Sequence, residues 1–217
     1  MLISDSKNFI FIHNYKVAGS SVGKALDPYS NTYRRKNNVV IRALQSVRVL
    51  PGHYPFKYPF HITARELKAK MGVGIFNSYY KFGFVRNPWD WQVSLYTFML
   101  KNHKHPQHRI IKNMTSFDQY IEWRVNNDLH LQMKAFCDED GNLLVDFIGK
   151  FENLHADFEK VCRRLKVEAE LPHLNRSRAD HDFLKHYSEK SLKMVAEGFR
   201  EDIERFNYSI PSLLQTN

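Results

Sequence analysis

Lys16, followed at short spacing by Gly19, Ser20 and Ser21, is the set of residues in this chain best equipped for chemistry on an anion. One ammonium, two hydroxyls and the backbone amides of the small residues from Val17 to Gly23 can converge on a single phosphate or sulfate. Arg86 and Ser94 make a second set, in which a guanidinium and a hydroxyl can share another phosphate.

The elements that must hold these residues are legible around them. Phe9 to Ile12 are aromatic and β-branched, as suits a buried strand, and a helix follows the small-residue loop. A strand, a loop and a helix N-terminus in that order aim several N–H groups and the positive end of a helix dipole at one point. The spacing Ala18-x-x-x-x-Gly23-Lys24 imitates a nucleoside-triphosphate loop. However, Ala18 stands where that loop has its first glycine, and Ala25 where it needs a Ser or Thr hydroxyl for magnesium. The register from Lys16 to Ser21 fits better and asks for no metal ion. Lys81 to Val85 read as another buried strand ending at Arg86, and Asn87-Pro88 then open a helix with an N-cap residue and a proline at its first position. Ser94 lies about two helical turns on, so it can face back toward Arg86.

HNYKVAGSS resembles the 5′-phosphosulfate loop of the sulfotransferases, whose usual pattern is His-x-x-Lys-x-x-Gly-(Ser/Thr)-Ser. These enzymes move a sulfuryl group from 3′-phosphoadenosine 5′-phosphosulfate (PAPS) and release 3′-phosphoadenosine 5′-phosphate (PAP). KFGFVRNPWDWQVSL is similar to that family's 3′-phosphate element, Arg-Asn-Pro with a Ser eight residues after the arginine; where many members continue Asp-Arg, this chain has Asp90-Trp91. The resemblance implies a 5′ cradle of Lys16, Val17, Ala18, Gly19, Ser20 and Ser21, with Lys16 also catalytic, and a 3′ anchor of Arg86 and Ser94. It implies that a basic loop near the C-terminus, here Arg176 and Arg178, closes over the nucleotide. It also places Gln132 in a region that approaches the acceptor.

Pro51, Gly52, Pro55 and Pro59 exclude a regular helix around His53. The family places a Gly-His pair between its two cofactor motifs, which makes His53 the candidate general base and substrate contact. An imidazole takes a proton near neutrality, as an attacking hydroxyl requires. Glu66 is a weaker candidate, because Thr63 to Glu66 forms a capping box. His13 is expected in a supporting role, and His103, His105 and His108 in a polar loop rather than a metal site.

The whole chain sets the bounds. Its 217 residues, 43% hydrophobic and 25% charged, suit one α/β domain, taken as a single sulfotransferase domain over residues 1–217. Strands alternating with helices imply a P-loop-like parallel β-sheet flanked by helices on both faces, with ligands at the carboxyl ends of the strands. Further elements are a segment from Val39 to Val49 that reads as strand or helix and a helix capped by Ser116. A strand from Leu143 to Gly149, a helix begun by Glu152 and Asn153, and one closing helix from Ser188 to Phe206 complete the expectation. The net charge of +9 favours polyanionic partners: the nucleotide and an acceptor, possibly acidic, most naturally a carbohydrate hydroxyl, with no nucleic acid expected. No apolar run approaches the roughly 18 residues of a membrane span, no signal peptide opens the chain, and Cys137 and Cys162 read as reduced thiols, all pointing to the cytoplasm. Two rival readings are a magnesium- and ATP-dependent kinase using the same loop, and a non-catalytic polyanion-binding module using only the charge.

Overall fold

The computed structural model describes residues 1–31, 38–47, 58–172 and 182–211. It divides into two units, residues 1–85 with 134–174 and residues 86–133 with 175–217. Among the described residues no helix is long and apolar enough to cross a membrane.

The first unit carries the sheet. β1 (Leu2–Ser4) pairs antiparallel with β2 (Phe9–Phe11), β2 runs parallel to β3 (Tyr80–Val85), and β3 runs parallel to β4 (Phe147–Lys150), in the order β1-β2-β3-β4. The expected wholly parallel sheet is therefore a mixed one. Four residues separate β1 from β2, enough for a hairpin and far too few for the crossover that parallel pairing demands. Every residue of β2 is buried, and its Phe11 ring stacks 5.3 Å from that of Phe82, its partner in the ladder. Gly83 lies between two phenylalanines of β3, and a Cβ there would sit 2.2 Å from the Phe136 ring, so only glycine admits that ring to the sheet.

Helices flank this sheet: α1 (Gly19–Leu26), α2 (Val39–Ser46), α3 (Ala64–Met71) and the short α4 (Val73–Asn77). The ambiguous segment that begins at Val39 is thus helical as far as Ser46. Thr63 caps α3 as expected, its hydroxyl accepting the Glu66 N–H while the Glu66 carboxylate accepts the Thr63 N–H at 2.9 Å. Those bonds hold the Glu66 carboxyl below its ordinary value, and they give the residue a structural occupation. β4 begins at Phe147 rather than Leu143. Leu143 makes only an isolated bridge to Cys137, and the Asp146 side chain, not a strand carbonyl, receives the Lys81 N–H at 2.7 Å. Both cysteines are buried and unbridged.

The second unit is helical and begins with α5 (Pro88–Lys101), whose Asn87 cap accepts from the Trp89 and Asp90 N–H groups. α6 (His108–Lys112) and α7 (Phe117–Asn127) follow, the latter capped by Ser116 as expected. α8 (Leu154–Leu165) belongs to the first unit and buries Phe158, Val161, Cys162 and Leu165; Asn153 precedes it without a side-chain cap bond, a correction to the role expected of that residue. α9 (Glu189–Gly198) and α10 (Arg200–Arg205) return to the second unit. The expected single closing helix is broken between them at Phe199, whose backbone leaves the helical region at φ −106°, ψ 21° while its ring stays buried 6.1 Å from Trp91.

The core of this unit shows how Trp91 is accommodated. The indole is nearly fully buried against Phe199, and the Arg124 guanidinium of α7 lies over its face at 6.0 Å, a cation–π contact. Trp89 is wholly buried, its indole N–H donating to the Leu192 carbonyl at 3.2 Å.

Asp202 of α10 is also wholly buried and accepts the N–H groups of Gln132 at 2.7 Å and Met133 at 2.9 Å. Burial raises its pKa to about 6, the two N–H bonds opposing only in part. A carboxyl whose folded value exceeds its unfolded one contributes stability below about pH 4 and loses it as pH rises through about 6, here about 3 kcal/mol. Urea unfolding of the wild type and of Asp202→Asn from about pH 4 to about pH 7 tests this. The difference between them should move in the variant's favour by that amount as pH rises, and parallel profiles would exclude it.

Candidate functional site

The first cluster grows out of the end of β2. Ile12 extends the ladder by donating to the Phe82 carbonyl at 2.8 Å, and the chain then leaves the sheet through residues 13–18. Asn14 ties the departing loop back to β3 by donating to the Phe84 carbonyl at 3.4 Å, while its own amide oxygen accepts the Tyr15 N–H at 2.8 Å. Lys16 and Ala18 both sit in the left-handed region, at φ 60° and 59°. For residues with a Cβ this costs roughly 1–2 kcal/mol each. Such turns curl successive N–H groups toward a common point, which is how main chain makes an anion-binding concavity. α1 then starts at Gly19 without a side-chain cap bond, so no side chain of the loop occupies the helix mouth as a cap.

Gly19 is dictated by His13. A Cβ at residue 19 would fall 1.5 Å from the His13 ring, which fills the space a side chain would need. That ring is buried, and burial chiefly, with the N-terminal amine and His61 adding to it, pushes its pKa down to about 3. It is a neutral packing element, consistent with the supporting role expected from its position at the strand end. The strain at Ala18 has a direct test. Ala18→Gly removes the Cβ penalty and is expected to stabilise the protein by about 1 kcal/mol in urea unfolding; a lowered midpoint would show that the loop is not strained there.

The competing triphosphate register loses its structural basis. Gly23 and the exposed Lys24 lie inside α1, about one turn past its start, rather than in a loop that wraps phosphates.

One residue of this cluster escaped the sequence reading. The His61 ring stacks on His13 with centroids 4.7 Å apart and meets the Tyr15 ring edge-on at 5.1 Å. Its Nδ1 lies 3.2 Å from the His13 carbonyl oxygen. A carbonyl can only accept, so Nδ1 carries the proton and Nε2 is the basic position. Burial lowers the His61 pKa, opposed by that hydrogen bond, which favours the neutral imidazole at pH 7. The available signal was a histidine placed just before the Thr63 capping box.

The second cluster lies in the second unit. Arg86 follows directly on Val85, the last residue of β3, and its side chain is almost wholly buried. Asp90, one helical turn on, grips the guanidinium with both oxygens: Nε donates to Oδ2 at 2.7 Å and Nη2 to Oδ1 at 2.9 Å. This fork sets the plane of the arginine. The spacing of four residues that produces it was present in the sequence. Ser94 stands one further turn along α5 on the face that carries Asp90, and it is half-buried.

Gln132 is placed differently from the acceptor contact expected of it. It is buried, its Oε1 accepts the Arg86 N–H at 2.9 Å and its Nε2 donates to the Arg86 carbonyl at 2.7 Å. A side chain whose two ends grip one peptide segment in the interior is a poor probe of an incoming acceptor. His53, Arg176 and Arg178 lie outside the described residues. His103 and His108 hydrogen-bond to one another at 3.1 Å, and His108 also reaches the Met99 carbonyl at 2.9 Å; His108 is buried and opens α6, so the polar loop expected of the three histidines ends before it.

The donor set of the first cluster, an ammonium, two hydroxyls and strained main-chain amides, fits a phosphate or sulfate. Comparison with known proteins agrees in kind. The family described as the sulfotransferase family matches residues 1–209, nearly the whole chain. An uncharacterized protein of Archaeoglobus fulgidus is 30% identical over 122 residues, a stretch covering 55% of this chain and 94% of that protein.

Proposed function

We propose, for a chain that belongs to the sulfotransferase family, that it transfers the sulfuryl group of PAPS to a hydroxyl of an acceptor, most naturally a carbohydrate, as a single cytoplasmic sulfotransferase domain spanning residues 1–217. The observation that carries this reading is the loop after β2, where Lys16 and Ala18 hold left-handed backbone and the His13 ring seats against Gly19 ahead of an uncapped helix. The topology supports it: the loop and Arg86 each follow the carboxyl end of a strand, and the two strands, β2 and β3, are parallel neighbours.

In this reading the amides of Val17, Ala18 and Gly19, with the hydroxyls of Ser20 and Ser21, hold the 5′-phosphate. Arg86 and Ser94 hold the 3′-phosphate, and Arg176 and Arg178 close over the nucleotide. The acceptor oxygen attacks sulfur as the bond from sulfur to the 5′-phosphate oxygen breaks; the acceptor proton passes to a base and PAP leaves. Lys16 meets the charge that grows on the departing phosphate oxygen. In-line transfer of this kind gains its rate from positioning and charge stabilisation.

His53 remains the first candidate for the base. His61 is a second, favoured by the tautomer that its bond to the His13 carbonyl sets. His61→Asn keeps a donor for that carbonyl and removes the base, so the pair His53→Ala and His61→Asn separates the two: the true base loses turnover and the acidic limb of its pH profile, the rise in rate as the imidazole sheds its proton, and the other does not.

The decisive experiment is transfer of labelled sulfate from PAPS to a panel of glycans, lipids and phenols. Label on a glycan hydroxyl is expected. Failure of every acceptor, together with tighter calorimetric binding of ATP and magnesium than of PAP, would replace this reading with the kinase. Binding that ignores nucleotide and decays steeply with salt would replace it with the polyanion module.

A further inference from the structure

Arg86 is held both at its side chain and at its main chain. Its side chain is gripped by Asp90, as described above. Its main chain has just left β3, where a neighbouring strand would ordinarily have taken its N–H and carbonyl. The amide of Gln132 takes that place, accepting the N–H at 2.9 Å and donating to the carbonyl at 2.7 Å, so a single side chain supplies what one rung of a ladder would. Gln132 is held in turn. Its own N–H and that of Met133 donate to the two carboxylate oxygens of Asp202, at 2.7 Å and 2.9 Å. All three buried residues lie in the second unit, and the line from α10 to the arginine is unbroken: Asp202, the Gln132 backbone, the Gln132 amide, the Arg86 backbone.

We propose that Gln132 and Asp202 are positioning residues that fix the direction of the Arg86 guanidinium, and thereby set selectivity for a nucleotide bearing a 3′-phosphate. The proposal rests on the 3′-phosphate role given to Arg86 above. Main-chain position decides where a guanidinium ends, and a bidentate contact tolerates little displacement of it, so loosening the amide clamp acts on phosphate recognition before it acts on anything else. Neither residue touches the nucleotide.

The test is the ratio of affinities for PAP and for adenosine 5′-phosphate, which lacks only the 3′-phosphate, measured by calorimetry on the full chain. Gln132→Met keeps the length and removes both bonds to Arg86. Asp202→Asn removes one acceptor from the 132–133 backbone. Each is expected to lower PAP affinity by about tenfold or more while adenosine 5′-phosphate binds within about twofold of wild type. Retained binding of the second nucleotide also reports that the variant is folded. In an Arg86→Ala background, where the selectivity is already gone, Gln132→Met should have no further effect on the ratio. Equal loss of both nucleotides, an unchanged ratio, or an additional loss in the Arg86→Ala background would each overturn the relay. A wild type that binds PAP no better than adenosine 5′-phosphate would instead locate the failure in the role given to Arg86, and the relay would fall with it.

Discussion

Lys16→Ala is expected to lower the turnover of sulfate transfer by about two to three orders of magnitude while reducing PAP affinity by about tenfold or less. The asymmetry follows from where the charge goes. In the bound cosubstrate the bridging oxygen carries little charge. It becomes a full phosphate oxygen only as the bond to sulfur breaks, so an ammonium aimed there acts mostly in the transition state. In the proposed complex the loop offers the nucleotide many other donors, and these remain in the variant. Steady-state kinetics with PAPS and calorimetry with PAP make the comparison. A variant with full transfer activity would remove Lys16 from the chemistry. Parallel losses in turnover and in PAP affinity would make it a simple phosphate ligand.

The second large effect is expected from a single methyl group. Gly19→Ala drives a Cβ into the His13 ring at a calculated 1.5 Å, and that ring is enclosed by Phe11, Phe60 and His61, at centroid distances of 6.0, 4.3 and 4.7 Å. Phe11 is buried behind the ring, whereas Phe60 and His61 are exposed, so the clash is met by pushing the ring toward those two or by moving the start of α1 and with it the amides of the loop. A loss of about 3 kcal/mol in thermal or urea unfolding is expected, with PAP binding falling below detection. His13→Ala in the same chain removes the obstacle and should restore a part of both. If Gly19→Ala folds and binds as the wild type does, the histidine ring is not the wall described here.

Comparison of the residues with their surroundings shows which parts of the site announce themselves in a sequence. Strand β2, strand β3, the cap at Asn87 and the caps at Thr63, Ser116 and Ser188 were legible because each depends on neighbours within a few positions. The antiparallel β1 was not, since three residues are too few to show a period. The break at Phe199 was hidden by an apolar stripe that continues through it, because the ring stays in the core while only the backbone turns.

The site divides in the same way. The spacing from His13 to Gly19 can be read as a pattern, but the reason for it, a ring occupying the space of a missing side chain, needs coordinates. Gln132 reads as a polar residue near an acceptor, and 46 positions separate it from the arginine it clamps. Asp202 is further still, 70 positions from the backbone it receives. Contacts of that reach leave no local trace. The fork between Arg86 and Asp90, only one turn apart, was open to sequence reading all along.

The short N-terminal hairpin carries a practical lesson for handling the protein. By flanking β2 on the side away from β3, Leu2 to Ser4 make the root of the loop that carries Lys16 an interior strand instead of a border. A purification tag or truncation that pries those three residues away would leave β2 with an open edge, inviting another molecule to zip onto it and loosening the anchorage from which the loop springs.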